Sequence, residues 1–309
     1  MGEYETRLEV SIAGIRLKHP VMNASGILGY TREHIRRLAS YGFSAIVTKT
    51  ITPLPRKGYD PPIIIALRNG GLLNAVGLSN PGKGCIAELV DEAKRLGALV
   101  IVSVGGTRED EFVDVAVEAE ERGADAVELN LSCPHTKGYG IEIGADPQNV
   151  FSVVRAVSST VKIPVIAKLG LSDRVVEAAG KALEAGAKAL TLINTVKAMA
   201  IDVYTLKPIL TNVFGGLSGS PIHPIAVRVV YEVYREYKTD IIGCGGIVSW
   251  IDAAEFIAAG AKALQVGTAI ALSNNPREVV ESIVSGLKRW TEMHGFRSIE
   301  EIAGIAHKV

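Results

Sequence analysis

The sequence predicts a (β/α)₈ barrel, and three observations carry that reading. Eight short runs rich in β-branched and aliphatic residues recur along the chain, separated by stretches whose apolar residues return every three or four positions. Three of the helical stretches run straight into Gly-Ala, as RGADAV at 122–127 and as AGAKAL at 185–190 and again at 259–264. The alternation extends over about 250 residues, the arithmetic of eight βα units. A doubly wound open sheet is the competing architecture, but no GxGxxG opens an early helix, which weakens the dinucleotide-binding form of it.

The elements follow in order. VMNASG (21–26) precedes a helix near 31–41, and AIVTKT (45–50) comes after it. A helix near 82–96 leads to LVIVSVGG (99–106). The helical pattern EDEFVDVAVEAEERG then leads to AVELNLSCP (126–134), and PVIAKLG (164–170) is next. DRVVEAAGKALEAG leads to ALTLINTV (189–196), followed by DIIGCGGI (240–247) and ALQVGTAI (263–270). Glycine after a helix supplies the left-handed turn that returns the chain to the sheet. Residues 51–80 and 197–222 break the repeat. Both follow strands, so in a barrel they are expected on the catalytic face as lids or extra hairpins.

Composition narrows the function. The chain has 309 residues, and its 33 basic residues balance 33 acidic ones, so charge points to neither nucleic acid nor a membrane surface. Three cysteines, widely spaced, make neither a disulfide framework nor a CxxC metal site, and cannot hold an iron–sulfur cluster of four local thiolates. The N-terminal MGEYETRLEVSIAG is too polar for a signal peptide or membrane anchor. The expectation is a cytoplasmic protein whose residues 1–309 form a single barrel domain.

Active sites of this architecture form where strands end. Those ends carry Asn23 and Ser25; Lys49 and Thr50; Ser103; Asn130, Ser132 and Cys133; Lys168; Asn194 and Thr195; Gly245 and Gly246; Gly267 and Thr268. Glycines after the last two strands, with Gly219 before helix seven, form a pattern that presents backbone N–H groups to a phosphate; alone, such glycines only permit tight turns. No carboxylate pair for glycoside chemistry and no metal-ligand set stands among these residues. Amides, hydroxyls and ammonium groups suit a planar polar ring or an anion. Lys49 and Lys168 each need an anion if buried, and a Schiff base is the other use of a buried lysine. Cys244, inside an apolar run, reads as a small hydrophobe, and Cys85 has no evident partner. Cys133 sits at a strand's mouth between Ser132 and Pro134, where a thiol with an ordinary pKa of about 8.5 could act as a base. On position alone its catalytic and structural readings stand side by side.

The motifs ASG (24–26), TKT (48–50), NAVGLSNPG (74–82), LNLSCPH (129–135), AKLG (167–170), LINT (192–195), GGLSG (215–219), GCGGI (243–247) and VGT (266–268), all in order, resemble the class 1 dihydroorotate dehydrogenases. The resemblance spans nearly the whole chain. It implies an FMN-containing barrel that oxidises dihydroorotate to orotate in pyrimidine synthesis. It implies that Cys133 removes the C5 proton while a hydride leaves C6 for the flavin. It places Lys49, Asn74, Asn130, Asn194 and Thr195 on the pyrimidine and its carboxylate, with the backbone of Ala75, Val76, Gly77 and Leu78 beside them. It places Ser25, Lys49, Thr50, Ser103, Asn130, Lys168, Ile193, Gly219, Gly245, Gly246, Gly267 and Thr268 on the FMN, and no metal in the site.

NAVGLSNPG and LINTVKAMAID look like the B-type of that class. The resemblance then implies a homodimer of this chain joined to a second subunit that carries FAD and a 2Fe–2S cluster and passes electrons to NAD. Two departures stand out. The family more often has SCPN where this chain has SCPH, a form familiar from dihydropyrimidine dehydrogenases acting on uracil or thymine. Ser103 stands where many B-type members have asparagine. A Schiff-base aldolase using Lys168 and a non-catalytic scaffold are the readings outside redox chemistry.

Overall fold

In chain order, the strands begin with a hairpin of β1 (Val10–Ile12) and β2 (Ile15–Leu17), then β3 (Val21–Asn23) and β4 (Ala45–Val47). The first insertion contributes β5 (Ile64–Ala66) and β6 (Gly71–Asn74), and β7 (Leu99–Val104), β8 (Ala126–Asn130), β9 (Val165–Leu169) and β10 (Ala189–Leu192) follow. The second insertion holds β11 (Val196–Ala198), β12 (Ile201–Asp202), β13 (Lys207–Pro208) and β14 (Gly215–Gly219). Last come β15 (Ile241–Cys244) and β16 (Ala263–Val266). The computed structural model describes residues 6–68, 70–132, 144 and 146–308.

Eight strands pair in parallel in the order β3-β16-β15-β10-β9-β8-β7-β4, with helices between them, which is the expected (β/α)₈ barrel. Of the residues picked out as strand ends, Asn23, Ser103, Asn130 and Lys168 lie within their strands, whereas Ser25, Lys49, Thr50, Ser132, Asn194, Thr195, Gly245, Gly246 and Gly267 sit just beyond them. The seam between β3 and β4 is closed largely by one side chain. Ser44 N–H donates to the Val21 carbonyl at 3.0 Å. Beyond it, the Asn23 carboxamide accepts from Val47 N–H at 2.9 Å and donates to the Val47 carbonyl at 2.7 Å. These are the bonds a neighbouring strand would otherwise make. Asn23→Ala strips both partners from a buried peptide, and each such loss costs roughly 1–3 kcal/mol. The variant is therefore expected to unfold at clearly lower denaturant with its m-value unchanged, and a wild-type midpoint would show the seam does not depend on Asn23.

Helices pack on this barrel through the faces their spacing predicts. In Glu109–Glu121 the buried positions are Phe112, Val115, Ala116 and Ala119, one stripe at helical period. The three Gly-Ala junctions share one mechanism. Gly123, Gly186 and Gly260 have φ of +81°, +112° and +121°, and the following alanine N–H reaches back to Ala119, Ala182 and Phe256 respectively. That pairing satisfies a terminal carbonyl and turns the chain into the next strand. One apolar cluster, reaching from Val10 to Ile302, fills the space between barrel and helices.

The two insertions do more than form separate hairpins. β14 of the second pairs antiparallel with β6 of the first, giving a four-stranded sheet β11-β14-β6-β5 with its own small core of Leu73, Ala75 and Leu210. Asn74 at the end of β6 is thereby held against the second insertion, its Nδ2 donating to the Gly216 carbonyl at 3.1 Å. Among the described residues no helix is long and apolar enough to cross a membrane.

Candidate active site

Side chains alternate along a strand, so Glu128 and Asn130 of β8 share the inward face. Strand register sets Asn130 beside Lys168, and Lys168 beside Thr191. Lys168 Nζ donates to Gln265 Oε1 at 2.9 Å and lies 3.5 Å from Glu128 Oε1. Gln265 Nε2 and Thr191 Oγ1 both donate to Glu128 Oε2. Burial pulls the Lys168 ammonium down, but the Glu128 carboxylate, with a smaller contribution from Cys244, more than offsets it, so the lysine stays above its ordinary range. The ion pair with Glu128 favours the ammonium over the free amine that Schiff-base chemistry needs.

Above this ion pair lies a chain of amides and hydroxyls. Asn194 Nδ2 donates to Ser132 Oγ at 3.0 Å and to Asn130 Oδ1 at 3.2 Å. Asn130 Nδ2 donates to Thr50 Oγ1 at 3.0 Å, and Thr50 Oγ1 lies 3.0 Å from Ser103 Oγ and 3.4 Å from Ser25 Oγ. Each carboxamide is therefore oriented by neighbours on other strands, the preorganisation that recognition of a polar ring requires.

Lys49 differs from Lys168. Its Nζ sits 5.2 Å from the centre of the Tyr30 ring, a cation–π distance. Among the described residues no carboxylate comes within ion-pair range of it. Burial holds its ammonium below the ordinary lysine range. The expectation that each lysine meets an anion holds within the protein only for Lys168; the Lys49 ammonium faces the cavity.

At the opposite wall, Gly245 and Gly246 are consecutive residues with φ of +135° and +74°. A side chain on Gly246 would come within 2.8 Å of the Gly219 carbonyl oxygen, and one on Gly219 within 2.9 Å of the Gly70 oxygen. Bare backbone is thus required where these loops converge. Gly267 precedes the short helix Thr268–Leu272, and Thr268 Oγ1 donates to Ser218 Oγ at 2.8 Å. Loops after the last two strands plus a short extra helix are the phosphate-binding arrangement of this architecture. The residues present fit a flavin mononucleotide: a glycine cradle for a phosphate, an ammonium and amides for the ring.

These parts line one cavity of about 410 Å³, within the range of small-ligand sites. Its wall includes Ser25, Lys49, Thr50, Asn74, Val76, Gly77, Leu78, Asn130, Lys168, Ile193, Asn194, Thr195, Gly219, Gly245, Gly246, Gly267 and Thr268. Two expected contacts are off the wall. Ser103 is fully buried behind Thr50, because Thr50 stands between it and the cavity; it reaches the site only through that hydroxyl. Ala75 is also buried, its N–H donating to the Ile63 carbonyl at 2.7 Å. Cys133 and His135 lie outside the described residues; Ser132 immediately before them is buried and bonded to Asn194.

The sequence reading passed over Glu128 and Gln265. Glu128 was legible, since the alternation in AVELN places it on the face of Asn130. Cys244, read as a core hydrophobe, is buried but forms part of the cavity wall.

The family model described as dihydroorotate dehydrogenase matches residues 7–290. A chain of Aeropyrum pernix, provisionally named dihydroorotate dehydrogenase A (fumarate), is 53% identical over 98% of this chain and 99% of its own length. Chains of Pyrococcus horikoshii and Pyrococcus abyssi, both named dihydroorotate dehydrogenase B (NAD(+)), catalytic subunit, are 48% and 46% identical over 98% of this chain and 98% and 100% of their own.

Proposed function

Because the chain belongs to the dihydroorotate dehydrogenase family, we propose that it oxidises dihydroorotate to orotate in this cavity, with Cys133 as the base. The observation that carries the substrate is Lys49. A largely desolvated ammonium without a protein carboxylate among the described residues suits the ring carboxylate of dihydroorotate. Asn74, Asn130, Asn194 and Thr195, with the backbone from Val76 to Leu78, supply amide and hydroxyl groups for the alternating N–H and C=O edges of the ring. Asn194 and Asn130 are locked to each other, so the ring meets fixed donors and acceptors.

Cys133 takes the C5 proton, and the C5–H bonding pair becomes the C5–C6 double bond as a hydride leaves C6. FMN, when bound, supplies the acceptor for that hydride. Gly219, Gly245, Gly246, Gly267 and Thr268 hold its phosphate, while Ser25, Thr50, Ile193 and Lys168 hold its ring system. Ser103 acts on it only by fixing Thr50.

The Cys-Pro-His form at 133–135 favours a second reading, oxidation of dihydrouracil or dihydrothymine in the manner of dihydropyrimidine dehydrogenases. Lys49 opposes it, since those rings carry no carboxylate. Turnover of dihydroorotate but not dihydrouracil supports the first reading, and the reverse sinks it.

For the electron acceptor, NAD reached through a partner subunit bearing FAD and a 2Fe–2S cluster fits the B-type motifs and the names of the Pyrococcus relatives. The name of the Aeropyrum relative points instead to fumarate. Purified from its source, the protein is expected to carry FMN and to bring with it an FAD/iron–sulfur subunit, as a heterotetramer built on a homodimer of this chain. A stable homodimer that reduces fumarate directly would overturn this assignment.

A further inference from the structure

Lys168 stands between a fully buried carboxylate and the cavity. Its Nζ has three N–H bonds to place. One goes to Gln265, one side faces Glu128, and Lys168 itself forms part of the cavity wall. Gln265 bridges the pair, accepting from the ammonium and donating to the carboxylate. Thr191 supplies the second donor to Glu128 Oε2. The charged or titratable groups facing Lys168 are Glu128 from β8 and Cys244 from β15; Gln265 and Thr191, from β16 and β10, are neutral.

A buried ion pair is weak support for a fold, since well-packed apolar side chains of similar size do as well or better. The influence of this one falls on whatever occupies the cavity. We propose that Glu128 is a positioning residue for the bound flavin: it keeps Lys168 charged and in place while offsetting much of its field, and so sets how strongly the cavity stabilises the reduced cofactor. The inference rests on the reading of the cavity as an FMN site.

The test is the midpoint potential of FMN in the purified holoenzyme, followed from about pH 5 to about pH 9, a span that reaches the titration of a buried, unpaired lysine. Glu128→Gln leaves the ammonium unopposed at the acid end. There the variant is expected to favour reduced FMN at least ~10-fold more than wild type, ~30 mV for a two-electron couple. As pH rises, Lys168 without its carboxylate loses its proton and the curve breaks downward, a break absent from wild type and from the Glu128→Gln/Lys168→Met double variant. Lys168→Met alone is expected to shift the equilibrium toward oxidised FMN by a similar factor.

A Glu128→Gln curve that overlays wild type, while Lys168→Met is displaced, overturns the role of Glu128. No displacement in Lys168→Met overturns instead the placement of Lys168 against the cofactor. Should the glutamine variant fail to fold, Glu128→Asp keeps the charge at a longer separation. Its acid-end potential is expected above wild type, and equality with wild type contradicts the proposal.

Discussion

Cys133→Ala is expected to lower turnover of dihydroorotate by roughly 10²- to 10⁴-fold, the range a positioned base contributes. The FMN should remain bound, because the glycine cradle and Lys168 lie on other strands of the barrel. Steady-state kinetics beside the flavin absorbance of the purified variant separates loss of the base from loss of the cofactor. Cys133→Ser, a hydroxyl with a far higher pKa, should recover part of the activity only as pH rises. Unchanged turnover in the alanine variant would remove Cys133 from the chemistry.

Lys49→Met is expected to reduce kcat/KM for dihydroorotate by roughly 10- to 100-fold, the loss of a charge-assisted hydrogen bond, with most of the change in KM. The same substitution should narrow the preference for dihydroorotate over dihydrouracil, since only the first offers a carboxylate. Burial already holds this ammonium below the ordinary lysine range. In wild type, KM for dihydroorotate should therefore rise on the alkaline side, beginning at lower pH than a free lysine would give, and that rise should be absent in the variant. Equal losses with both substrates would place Lys49 in the structure of the loop and not on the carboxylate.

Much of this site is local in the sequence. The Gly-Ala returns, the glycines after the last two strands and the polar residues at strand ends each report their own backbone requirement, and the barrel follows from their order. What was not legible depends on residues far apart. The pairing of β6 with β14 joins segments more than a hundred residues distant, so two loops that read as separate hairpins form one sheet. Asn23 reads as a strand-end amide available to a ligand, yet its carboxamide is committed to the Val47 peptide across the barrel seam. The resemblance places Ser103 on the flavin, but Thr50 stands in front of it. Lys168 was expected to find an anion, and the anion proved to be Glu128, two positions before the Asn130 that drew attention to the same strand.

The central claim, that this cavity binds FMN and oxidises a carboxylated dihydropyrimidine, is tested most directly by a single anaerobic turnover. Purified protein carrying its flavin is mixed with dihydroorotate or with dihydrouracil, and the flavin absorbance is followed without any added acceptor. Rapid bleaching with dihydroorotate, matched by one equivalent of orotate, and none with dihydrouracil is the predicted result. Bleaching with dihydrouracil alone, or protein that holds no flavin, would contradict it.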